Sequence, residues 1–210
     1  NPSEPKTSDY AKMSCINYPT VIAAMTLYNI TSNTDYLDKA KEIYEWSRNN
    51  LYNPITGNVA DSRHGKKEPD WGATVYNQGT CIGAALLLYD ETNEEQYLKD
   101  AIKTADYTRN VMSTPFEMLP YKTGEEQGIY TAIFAQYIAP LIYDHNQSQY
   151  LKWMHRTINY GWKYRDTTRN LTIKDYKTPA SATDAISCYD ASGIPALMLV
   201  ITPDPNDIGY

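Results

Sequence analysis

LYNITSNTDYLDKAKEIYEWSRNNLYN, residues 27 to 53, returns in outline as LYDETNEEQYLKDAIKTADYTRNVMS at 88 to 113 and more weakly as IYDHNQSQYLKWMHRTINYGWKY at 142 to 164. The pairs Tyr36-Leu37, Tyr97-Leu98 and Tyr150-Leu151 mark the same point in each copy, 61 and then 53 residues apart. A period of that size fits a unit of two helices and one long loop. In each unit the first helix carries apolar residues around most of its circumference: Val21, Ile22, Ala24, Met25 and Tyr28, or Ile82, Ala85, Leu86 and Tyr89. That distribution predicts burial on several sides. The second helix carries one stripe, Leu37, Ala40, Ile43, Tyr44, Ser47 and Leu51, or Leu98, Ala101, Ile102, Ala105 and Met112, so it shows one face to water. Thr92 with Glu95 matches a capping box, and Pro54 and Pro115 follow the stripes as they would just past a helix end.

Working outward, the same periodicity predicts helices near 18–30, 34–51, 76–90, 94–112, 127–144, 148–164 and 183–201, with short strand candidates only around Val59 and Met118. Inner buried helices alternating with outer amphipathic ones make an all-α fold, an α/α toroid built from helical hairpins. Seven helices leave the set incomplete, and an inner helix at each end without a neighbour would expose a broad apolar face. The expectation is one domain over residues 1–210 that is the C-terminal part of a larger (α/α)6 domain. The loops near 52–75, 113–126 and 165–182 are long for a helical protein, and loops of that length tend to carry function.

Composition narrows the function. With 42% apolar and 21% charged residues, the 210-residue chain has the makeup of a globular domain rather than a disordered or collagen-like one. No apolar run reaches the roughly 18 residues of a membrane span, and no signal-peptide pattern opens the chain. The net charge of −6 and the scattered Lys and Arg argue against a nucleic-acid partner. Tyr occurs 20 times and Phe twice, so nearly every aromatic carries a polar tip. Such rings suit a wet, sugar-binding groove, although Tyr can equally replace Phe along helix flanks. Cys15, Cys81 and Cys188 lie far apart without a CxxC spacing and read as buried free thiols. His64, His145 and His155 share no metal spacing, and GxSxG, GxGxxG and P-loop motifs are absent. No metal or cofactor is expected.

The sharpest local signal is TVYNQGT, residues 74–80, running into the apolar helix CIGAALLLY. The amides of Asn77 and Gln78 beside Tyr76 can read hydroxyl groups as donors and as acceptors, and Trp71 offers a flat apolar face to a sugar ring. The competing interpretation is a helix cap and a packed loop in which both amides satisfy the backbone. Asp61, Asp70, Glu125, Glu126, Asp184 and Asp190 fall at loop ends that would converge on one rim if the hairpins are ring-ordered. Glycoside hydrolysis needs two carboxyl groups about 5 to 10 Å apart, and each of these residues could equally be a helix cap or a solvated charge.

CINYPTVIAAMTLY, NPITGNVADS, WGATVYNQGTCIGAALLLY, YLKDAIKTADY and EEQGIYTAIFAQYIAPLI together resemble glycoside hydrolase family 76 from Met13 to Ile201. The family comprises bacterial endo-α-1,6-mannanases and related fungal cell-wall proteins. The resemblance implies an (α/α)6 barrel and a retaining mechanism that uses two adjacent aspartates on an inner helix, upstream of the part matched here. This chain contains no Asp-Asp dipeptide. It is therefore expected to be inactive alone and to supply part of the substrate cleft, its partners being an α-mannan polysaccharide or oligosaccharide and the N-terminal part of its own domain. The positions the resemblance carries over as substrate-binding are Asn17, Asp61, Trp71, Tyr76, Asn77, Gln78 and Gln127. Because mannan is extracellular, an extracytoplasmic location is implied. Two other classes remain: a non-catalytic glycan-binding or scaffold toroid, and another toroidal carbohydrate enzyme such as a glucuronyl hydrolase or a sugar epimerase.

Overall fold

The computed structural model describes residues 11–113, 117–121, 127–175 and 178–206. Glu125, Glu126 and Pro115 lie outside them, as does the side chain of Gln127. The elements follow in the order β1 (Ala11–Met13), α1 (Ser14–Thr31), α2 (Thr34–Leu51), β2 (Ser62–His64), α3 (Val75–Thr92), α4 (Glu95–Tyr107), a π-helical turn (Thr108–Met112), α5 (Gln127–Tyr143), a 3-10 turn (Ser148–Tyr150), α6 (Leu151–Lys163) and α7 (Cys188–Val200). Contacts group them into two compact units, residues 1–107 and 108–210. Among the described residues no helix is long and apolar enough to cross a membrane.

In the first unit, α1 pairs with α2, α3 pairs with α4, and α1 also packs on α3. The hairpins close through matching turns. Ser32 and Asn93 adopt left-handed conformations at φ 55° and 57° and return their N–H groups to Tyr28 O and Tyr89 O. Thr92 is not a capping-box residue: its hydroxyl donates to Leu88 O at 2.7 Å and accepts from Glu94 N–H, so it closes α3 rather than opening α4. α3 is buried along nearly its whole length. α1 buries only one side, through Ser14, Tyr18, Val21, Ala24 and Met25, contrary to the burial on several sides expected of it. Its opposite side exposes Ile16 (60%), Leu27 (42%) and Ile30 (76%) in line with exposed Thr20 and Ala23. One repeat of 61 residues later the counterparts of Ile16, Thr20, Ala23 and Leu27 are Asn77, Cys81, Ala84 and Leu88, all fully buried. Tyr18 of α1 hydrogen-bonds one of them, Cys81.

The outer helices α2 and α4 meet through a buried polar joint. Asp100, 1% exposed, accepts from Arg48 Nε at 2.7 Å, Gln96 Nε2 at 2.7 Å and the Tyr44 hydroxyl at 3.1 Å. The ring of Tyr44 stands edge-on to Tyr18 and Tyr97. Much of the tyrosine excess is therefore core: Tyr18, Tyr44 and Tyr150 are fully buried, each an apolar ring whose hydroxyl needs an internal partner.

In the second unit α5 packs closely on α7. A Cβ on Gly128 would lie 2.2 Å from Tyr189 O and 2.5 Å from Asp190 O, so only glycine permits this approach to the first turn of α7. Phe134, Ile138, Leu141, Trp153, Met154, Ile158 and Leu197 form the core, with Phe134 and Trp153 in edge contact. Met118 lies in that core without forming a strand. α7 starts five residues later than its composition suggests, because Ser187 caps it by accepting from Tyr189 N–H. The three cysteines are free, but only Cys81 is buried; Cys15 is half-buried and Cys188 exposed.

Candidate functional site

The long loop between α2 and α3 carries Asp61, and the two inner helices of the first unit hold that stretch between them. After α2 the chain turns at Gly57, φ 82°, where Tyr52 and Val59 form an isolated antiparallel bridge. A Cβ on Gly57 would stand 2.2 Å from Lys103 O, so the turn is seated directly on the backbone of α4. From α1, buried Ser14 donates its N–H to Asp61 O at 2.9 Å and its hydroxyl to Ala60 O at 2.5 Å. From α3, Gln78 Oε1 accepts from Val59 N–H at 3.0 Å, and Asn77 Nδ2 reaches Asp61 Oδ1 at 3.5 Å. Beyond Asp61, β2 pairs antiparallel with β1, Ser62 opposite Met13. The loop then folds back, with Asp61 N–H donating to Asp70 O at 2.7 Å and Asp70 N–H to Ser62 O at 2.8 Å.

Asp61 and Asn77 are thus joined by a direct hydrogen bond, Gln78 holds Val59 two residues before Asp61, and Tyr76 is the half-buried neighbour of Asn77. Asn17 lies one turn along α1 from Ser14 and spends its amide N–H on Met13 O at 2.8 Å. Trp71 is 40% exposed, its carbonyl held by Asn58 Nδ2 at 3.3 Å. Asp70 turns its carboxylate back to Gly72 N–H and remains exposed. Gln127 begins α5 in the second unit, as do Asp184 and Asp190 the stretch around α7.

The two amides divide between the competing interpretations. Gln78 is fully buried and serves the backbone. Asn77 is equally buried, yet its Oδ1 has no hydrogen-bond partner among the described residues. Its orientation is fixed, because a carboxylate only accepts and the NH2 group must face Asp61, turning Oδ1 the other way. Asn58 Oδ1 and Thr74 Oγ1 are also buried without a partner among the described residues. Thr74 occupies the N-cap of α3 but makes no capping bond. Leaving such atoms unpaired costs about 1–3 kcal/mol each. The groups open to a ligand are the half-buried Asp61 carboxylate, which can accept from hydroxyl groups, and the exposed Trp71 face, which can stack on a sugar ring. Sequence reasoning missed Ser14, Asn58 and Thr74. The only hint was that Thr74 stands where a cap is expected. Among the described residues no group of three or more His, Cys, Asp or Glu could hold a metal ion.

Over 90% of its length the chain matches a Listeria innocua protein at 28% identity and TM-score 0.81, covering 55% of that protein. It likewise matches the α-1,6-mannanase GH76A of Salegentibacter sp. HEL1_6 at 26% identity and TM-score 0.80, covering 60% of it. An inactive variant of that mannanase, with two consecutive aspartates replaced by asparagine, has been solved with α-1,6-mannotriose; it matches at 25% identity and TM-score 0.80, over 91% of this chain and 60% of that one. No curated protein matches the sequence. The chain therefore spans little more than half the length of these solved proteins, and its all-α, incomplete (α/α)6 toroid of helical hairpins is their fold. The model of glycosyl hydrolase family 76 matches residues 4–192, and the chain belongs to that family.

Proposed function

We propose that the protein containing this chain hydrolyses α-1,6-linked mannan and that residues 1–210 supply one wall of its substrate cleft. The observation that carries this reading is Asp61, held through its backbone by Ser14 of α1 and through its carboxylate by Asn77 of α3, together with the exposed face of Trp71. The α-1,6-mannotriose bound by the Salegentibacter protein supports the linkage. Asp61 accepts from sugar hydroxyls with its carboxylate oriented by Asn77, and Trp71 stacks on the ring; Tyr76 and Asn17 border the same helix starts. The catalytic aspartate pair lies outside these 210 residues, which hold no Asp-Asp. The exposed stripe of α1 is the place for the remainder of the family domain, because the matching face of α3 is the one a preceding inner helix covers. On this reading a polymeric substrate favours a location outside the cytoplasm.

The test pairs residues 1–210 with a polypeptide carrying the whole family domain, both assayed on debranched yeast mannan. The longer protein is expected to release reducing sugar and residues 1–210 to release none. Comparable rates from the two would sink the assignment of the catalytic pair. Binding of α-1,6-mannotriose by the longer protein without any hydrolysis would replace the enzyme reading with that of a glycan-binding protein.

A further inference from the structure

In a chain whose net charge is −6, β1 and β2 form a strap that gathers positive charge. Lys12 of β1 stands directly opposite Arg63 of β2, and the exposed Lys66 and Lys67 follow at the tip of the loop. Glu68 is the single carboxylate between Ser62 and Pro69. None of the four cations makes an ion pair among the described residues. Lys12 Nζ lies 5.9 Å from the ring centroid of Trp46, and Arg63 donates only to neutral oxygens, from Nε to Lys67 O at 3.0 Å and from Nη1 to Asn50 Oδ1 at 2.6 Å.

The backbone holds these charges in place. The ladder also pairs Ala11 with His64 and Met13 with Ser62. Lys67 N–H donates to His64 O at 3.1 Å across a turn with Gly65 at φ 59°, and Asp70 N–H closes the loop on Ser62 O. The carboxylates at its base are turned to other partners, Asp61 to Asn77 Nδ2 and Asp70 to Gly72 N–H. Like charges directly opposite each other destabilise a strand pair. A strap with only a structural task would be more stable with a carboxylate in place of Lys12 or Arg63.

We infer that the strap is an anion-recognising surface beside Asp61, taking an oxyanion substituent, a phosphate ester or a carboxylate, carried by the glycan. Arg63 Nη2 and the ammonium groups of Lys66 and Lys67 supply charged donors to such a group. The tip is close enough to act on the same chain of sugars, since Lys66 is five residues from Asp61 and an extended chain covers about 17 Å over that distance. The strap therefore favours polymers bearing acidic groups in a protein whose overall charge repels them. That a glycan bears the anion rests on the function proposed above; the anion site rests on the strap alone.

The experiment is an NMR titration of the 15N-labelled 210-residue chain with mannose 6-phosphate, trigalacturonate, neutral α-1,6-mannotriose and phosphatidylglycerol vesicles, at about 0.05 M and about 0.3 M salt. Saturable shifts at the amides of Lys12 and of residues 63–68 are expected with one or both acidic sugars, and which of them binds tells phosphate from carboxylate. Affinity should fall about fivefold or more at the higher salt, and as much in Lys66→Gln/Lys67→Gln. Lys99→Gln, at an exposed lysine of α4, should leave it unchanged. If the double variant does not fold, the position of the shifts and their salt dependence decide. Shifts at the strap with acidic sugars, but none at 58–61 or 71–77 with mannotriose, would support this inference and count against the proposed function. Equal binding of neutral mannotriose at the strap, binding of vesicles without either acidic sugar, shifts that survive the double substitution, or no shifts at 12 and 63–68 would overturn it.

Discussion

Arg48 of α2 and Asp100 of α4 meet at 2.7 Å across the two outer helices of the first unit, with the Asp100 side chain 1% exposed and that of Arg48 23% exposed. The carboxylate also serves Gln96 and Tyr44, so one buried anion organises three donors. Removing a partner from such a group leaves the rest desolvated and unpaired, which costs about 3–5 kcal/mol. Asp100→Ala is accordingly expected to lower the stability of residues 1–210 by about that amount in urea unfolding. A loss under about 1 kcal/mol would mean that the joint is no stronger than a surface pair.

Gly57 links the fold to the candidate site. Its positive φ and its seat on Lys103 O leave no room for a side chain, and the stretch that follows carries Val59, Ala60 and Asp61 between α1 and α3. Gly57→Ala is expected to destabilise the chain by about 1–3 kcal/mol and to weaken α-1,6-mannotriose binding through displacement of Asp61. Lys103→Met removes only an exposed bond to Pro54 O and should stay within about 0.5 kcal/mol of the parent. Equal affinities for the parent and Gly57→Ala would show that Asp61 is not positioned by this turn.

Much of the helical plan is legible in the repeats, because the 3.6-residue period of α2 and the uninterrupted apolar run of α3 leave no other use for those segments. The boundaries are less legible where a polar residue has two uses. Pro19 reads as a first-turn residue, yet α1 begins at Ser14 and carries the proline inside it. Thr92 and Glu95 have capping-box spacing, but the left-handed Asn93 between the helices places Thr92 in the wrong turn. Likewise, Asp100 stands in a polar stretch of sequence, and its burial follows from its register with Ala101, Thr104 and Ala105 opposite Arg48. At the site, nothing in YNQG distinguishes an amide spent on the backbone from one left over. Gln78 and Asn77 are separated only by the loop that returns Val59 to one and Asp61 to the other.

Cysteine reactivity separates the three thiols. Burial pushes Cys81 up to about 12, and its sulfur sits 3.8 Å from the Thr104 hydroxyl, whereas Cys188 is exposed and Cys15 half-buried. A thiol attacks as its thiolate, so alkylation at pH 8 should label Cys188 first, Cys15 more slowly and Cys81 only on unfolding. Peptide mass mapping after timed iodoacetamide treatment reads this order. The neutral thiol is the form the folded state favours, so its contribution to stability is complete below the ordinary thiol value of 9.0 and fades as pH rises toward about 12. Early labelling of Cys81 in the folded chain would contradict its burial beneath Tyr18.

Asp166 sets the acid limit of the loop that precedes α7 and borders a cavity of about 490 Å³ there. Its hydrogen bond from Arg169, followed by those from the backbone N–H groups of Arg169 and Thr168, holds the carboxyl below its ordinary value of 3.8. A carboxyl that is more acidic in the folded state stabilises that state at all pH values above its unfolded titration. The contribution is lost as pH falls through the lowered, folded value. Asp166→Asn is therefore expected to have a lower thermal midpoint than the parent from pH 5 to 7. The two should converge as the pH falls through the lowered, folded value, where the parent carboxyl protonates as well. Arg169 also holds Ser181 O and Asp184 O, so the same substitution should loosen the cavity wall and raise amide exchange at 180–186 at neutral pH. A midpoint difference that persists unchanged to pH 2 would assign the loss to packing rather than to the carboxylate.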